Sequence, residues 1–297
     1  MGDFLFDGER TRGDWSGLDE ISLEAIDPGL GEATAMFVAP GVTPPPDLPS
    51  QWRPISVSAR PQDRCAAALA LWNRSFLDML PRFAAALRDK LADVRVCKLD
   101  DAWVLLYVLA PGVGEPYALW AGWDPATFGD TEPPLWDAFP APVREFLRTV
   151  HAGFSRPDYP GACGLLPPRY MDTFGAYHGA PEGLPEWEDA WGGEDFIPEK
   201  RLVPIMDDGG TLYRCVSPNA PGKMVILYEG DIDPRADFGP ELDDVLMQGV
   251  GPVELVPMTM DPEIARALGY STEPPPALVK AHRAVRVWTG GESPTPG

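Results

Sequence analysis

The sequence predicts an α+β fold in which short helices and strands share the chain. Two observations carry that expectation. In each half of the chain, a stretch with apolar residues at helical spacing precedes a group of strand-like runs. The 36 prolines and 30 glycines among 297 residues also cut the chain into short elements joined by turns, so helix does not dominate.

Residues 1–30 are polar and glycine-rich and read as an irregular arm. Ala35–Ala39 reads as a short strand, and the proline-rich run from Pro40 to Pro54 as an extended connector. From Gln62 to Leu91, Ala66, Leu69, Trp72, Phe76 and Leu80, then Phe83 and Leu87, recur at helical spacing. Pro81 lacks the N–H that a continuous helix needs and divides or kinks this stretch. Val94–Leu99, Trp103–Leu109 and Tyr117–Trp123 follow as strands, completing an N-terminal α+β lobe over 31–131 that ends at the break Thr131–Pro134.

The second lobe spans 132–258. Val143, Phe146, Leu147 and Val150 share one face of a helix, and the segment 164–177 reads as a short helix or turn behind Pro167 and Pro168. Strands are expected at Leu202–Ile205, Thr211–Val216 and Met224–Tyr228, then a helix at Pro240–Gln248 with Leu242, Val245 and Leu246 facing inward. Alternation puts Thr211, Tyr213 and Cys215 on one sheet face and Leu212, Arg214 and Val216 on the other, with Arg214 expected to meet a carboxylate. Val253–Met258 reads as a last strand, and 259–297 as a helix at Pro262–Leu268 followed by a flexible tail.

Five segments in order carry a resemblance: VREFLRTVHAGF (143–154), GLLPPRYM (164–171), LVPIMDDGGTLYRCV (202–216), KMVILYEGD (223–231) and FGPELDDVLMQ (238–248). Residues 134–250 resemble the SUKH superfamily, the Smi/Knr-like proteins. The resemblance implies a SUKH-like α+β fold, a twisted, mostly antiparallel sheet flanked by helices, and an activity of binding rather than catalysis. Many members are bacterial immunity proteins that block the active site or substrate access of a cognate polymorphic toxin. Residues 31–131 have no counterpart in a minimal member and stand as an additional lobe.

Charge points the same way. The net formal charge of −21 repels a phosphate backbone or an anionic membrane surface and attracts a basic protein, while also serving solubility. Residues 172–249 hold 17 acidic against 5 basic residues, a net of −12. The candidate contacts with a toxin or other basic surface are Trp187 and Trp191, as an aromatic ridge, with Glu186, Asp189, Asp207, Asp208, Asp231 and Asp233. Asp207-Asp208-Gly209-Gly210 also suits a turn that its own carboxylates cap. Asp231, Asp233 and Asp237 lack the central glycine and terminal glutamate of a calcium loop.

No nucleophile motif, metal cage or phosphate loop stands out, and neither an enzyme nor a cofactor is expected. An unfamiliar enzyme using Cys163 or His151 between the lobes is a minor alternative, and a non-catalytic scaffold subunit a stronger one. Four widely spaced cysteines, with no cationic start and apolar leader, are expected of a cytoplasmic protein with free thiols.

Overall fold

The computed structural model describes Ile21, Ile26 and residues 35–100, 102–112, 115–157, 163–208, 210, 212–248, 250 and 285–288. The expected strand at 253–258 and the helix at 262–268 lie outside them. The fold is α+β, with two sheets and short helices. No helix among the described residues is long and apolar enough to cross a membrane.

The seven-stranded sheet has the order β11-β1-β2-β3-β4-β5-β6. Its strands are β1 (Ala35–Val38), β2 (Leu91–Leu99), β3 (Ala102–Leu109), β4 (Ala118–Trp123), β5 (Phe154–Ser155), β6 (Gly164–Leu165) and β11 (Val285–Trp288). All pairs are antiparallel except β1 with β11. The four-stranded sheet has the order β10-β9-β8-β7, all antiparallel: β7 (Val203–Asp207), β8 (Leu212–Val216), β9 (Lys223–Tyr228) and β10 (Asp231–Asp237). Just beyond β6, the Leu166 N–H donates to the Ile205 carbonyl at 2.9 Å, joining one sheet to the other.

Strand β3 is apolar at nearly every position because both its faces are covered. Leu105, Tyr107 and Leu109 enter the largest core, whereas Val104, Leu106 and Val108 enter a second one that also holds Ile21 and Ile26. Helices cover the first face: α1 (Arg53–Val57), α2 (Pro61–Leu69), α3 (Arg74–Met79), α4 (Pro81–Lys90), α5 (Ala141–Thr149) and α8 (Phe238–Gln248). This core continues past residue 131: Phe83 and Leu87 of α4 share it with Phe146 of α5, Val203 and Ile205 of β7, and Leu242 and Val245 of α8. As the spacing predicts, Val143, Phe146, Leu147, Leu242, Val245 and Leu246 are all buried.

Pro81 starts α4, as expected of a residue with no N–H to satisfy. The preceding Leu80 offers no side-chain cap. The cap comes instead from α8, where buried Asp243 accepts from the Arg82 N–H at 3.0 Å and the Phe83 N–H at 2.8 Å. A second tie anchors α2 to β2. Buried Arg64 grips Asp93 through two hydrogen bonds at 2.8 and 2.9 Å, and Asp93 also pairs with Arg95, whose guanidinium donates to the Ile21 carbonyl at 3.0 Å.

A polar chain runs through the main core. Trp72 Nε1 donates to the Tyr107 hydroxyl at 2.9 Å, so the phenol proton is directed to His151 Nε2, 2.8 Å away. That leaves the proton of a neutral imidazole on Nδ1, facing the Trp123 carbonyl at 3.4 Å. Gly122 makes room, since a Cβ there would lie 2.5 Å from the imidazole ring. Burial holds His151 neutral, with its pKa pushed down to about 3. This sealed position removes His151 from any cleft between lobes.

Replacing Asp243 by alanine should cost about 1–3 kcal/mol in urea unfolding, because two helix-start N–H groups lose their acceptor. Arg82→Ala, which removes only the exposed pair with Asp244, should cost less than about 1 kcal/mol. Equal losses would show that the cap is not the stabilising contact.

Acid should also weaken the fold. His151 and His178, the latter held down to about 4 by burial, stay neutral when folded, while the unfolded chain takes up protons below pH 6.5. Each contributes no pH dependence well above 6.5. Below that, each removes about 1.4 kcal/mol per pH unit until its own folded pKa is reached. Between pH 6.5 and 5, His151→Gln should shed about half of this slope; an unchanged slope would mean that His151 is protonated in the native state.

Candidate acidic binding face

Two turns meet at one end of the four-stranded sheet. The β7–β8 turn follows Asp207, the β9–β10 turn is Glu229-Gly230, and the register places Leu212, Tyr228 and Asp231 side by side. Glu229 and Gly230 both have positive φ, at 49° and 92°. Two such residues make the tight hairpin whose twist suits the flanking strands, and glycine meets that demand without strain. Short helix α7 (Trp187–Trp191) abuts this turn, since a Cβ on Gly230 would lie 3.4 Å from the Ala190 carbonyl.

The candidate residues do not all reach the surface. Trp187 and Trp191 are 5% and 2% exposed, which corrects the expected aromatic ridge. Their rings stack at 5.2 Å inside a third core with Phe174, Tyr213, Cys215 and Leu227, and Trp187 Nε1 donates to the Ile197 carbonyl at 3.0 Å. Spacing four apart on an acidic helix set both rings on one face, and that face is the one turned to the sheet. Asp207, only 7% exposed, is also removed from the contact set. It accepts from the Gly210 N–H at 2.7 Å and from the Tyr177 hydroxyl at 2.9 Å. Asp208 caps the same turn through the Leu212 N–H at 2.7 Å and is half-buried. The self-capping reading of this turn therefore holds.

Glu186, Asp189 and Asp231 are exposed, and none makes an ion pair among the described residues. Asp233 differs from the expectation of a carboxylate waiting for a partner: Arg235, two residues on, pairs with it at 2.8 Å and holds its carboxyl below the usual range. Arg235 also reaches Asp195 at 3.3 Å. Between Asp233 and Ala236 the register slips at Pro234, which leaves β10 a poor template for a further strand. Asp237 is paired with Lys223 at 2.6 Å, and Arg214 meets Glu241 at 2.8 Å as expected.

Sequence reasoning missed Tyr228. The residue is 37% exposed, and a hydrogen bond to the Glu229 carboxylate, with the charges of Glu229 and Asp208, raises its phenol pKa. The available signal was its place at the end of KMVILY, immediately before the turn.

Beneath the face, Tyr177 at the end of short helix α6 (Phe174–Tyr177) comes close to His178, Asp207 and Cys215, but burial drives the titrations of Tyr177, His178 and Cys215 away from the reactive form. The Tyr177 and Cys215 pKa values are raised, and His178 is lowered to about 4. No group of three His, Cys, Asp or Glu among the described residues is disposed to hold a metal ion.

Trp187→Ala or Trp191→Ala should destabilise the protein by about 3–5 kcal/mol, whereas Glu186→Ala and Asp189→Ala should stay within about 0.5 kcal/mol. Chemical denaturation distinguishes the two groups; tryptophan variants as stable as the parent would return the rings to the surface. Compared with known proteins, the chain has no match among family models, curated proteins or solved structures.

Proposed function

We propose that the chain is a cytoplasmic immunity-type protein of the SUKH, Smi/Knr-like kind, which neutralises a cognate bacterial toxin by covering it with an acidic face. The observation that carries this reading is the grouping of carboxylates at one end of the four-stranded sheet. Asp208 and Glu229 stand at its two turns, Asp231 opens β10, Glu186 immediately precedes the adjacent α7, and Asp189 lies within it. The element order supports it: helix α5, the proline-led turn at Pro168–Tyr170, strands β7, β8 and β9, and closing helix α8 follow the order of the resemblance.

The physical basis is electrostatic. A negative patch raises the encounter rate with a basic groove, and carboxylates that enter such a groove take the place of an anionic substrate. Tyr228 adds a rigid ring with a polar tip, a type of side chain enriched at binding hot spots. Asp233 contributes little because Arg235 already neutralises it.

The test is titration against the toxin-like product of an adjacent gene, at increasing salt. Association should slow steeply as salt rises, and the double variant Asp189→Lys with Asp231→Lys should bind about 10-fold more slowly or worse while unfolding at the parent temperature. Asp233→Ala should leave affinity nearly unchanged. Salt-independent association, together with full affinity in the double variant, would remove this face from the interaction.

A further inference from the structure

We draw no further inference here: the strongest candidate, the exposed Tyr228 ring among Asp208, Glu229 and Asp231 at the turn end of the four-stranded sheet, belongs to the acidic face already described, and nothing in the structure shows what covers it.

Discussion

The apolar layer beneath the seven-stranded sheet governs the rest of the molecule. Leu105, Tyr107 and Leu109 project into it from the central strand β3, and helices drawn from both halves of the chain close over it. Phe83 and Leu87 of α4 need Leu242 and Val245 of α8 as neighbours, so the two halves complete each other's burial. Several buried polar groups in and beside this layer find partners inside the protein. Asp243 satisfies the start of a helix about 160 residues away, Asp93 holds two guanidinium groups, and Tyr107 both accepts from Trp72 and donates to His151. Removing one member of such a set strands another in a medium without water, which costs more than the lost bond itself.

The same partition explains the acidic face. Aromatic rings that sit among carboxylates in the sequence turn inward, as Trp187 and Trp191 do, and leave the carboxylates outside. Further along the sheet, charges pair locally: Lys223 with Asp237, Arg214 with Glu241, and Arg235 with Asp233 and Asp195. Glu186, Asp189 and Asp231 make no such pairs among the described residues. Uncompensated charge thus gathers where the turns meet α7, and an acidic sequence becomes an acidic side. Tyr228 stands there because a strand's last residue lacks the cover that the strand interior receives.

Much of the fold was legible in local pattern. The helices around Pro81, the strands from Val94 to Trp123, the hairpin through Asp207 and Asp208, and the inward face of the helix at 238–248 follow from periodicity, proline chemistry and turn residues acting within a few positions. Strand β10 was not legible. DIDPRAD is charged and contains a proline, features of a loop, and it becomes a strand because β9 offers its free edge to it. Pairing of Val285–Trp288 with Ala35–Val38 was equally hidden, since nothing local joins strands about 250 residues apart.

The candidate site divides along the same line. Composition and spacing alone determined that residues 172–249 are strongly acidic, that two tryptophans share one face of a short helix, and that the Asp207–Gly210 turn caps itself. Only the tertiary structure decided which carboxylates remain unpaired and which way the tryptophans point. A helix face is defined by residues three and four apart, but whether it meets water or a sheet depends on partners distant in the chain, here Tyr213, Cys215 and Leu227.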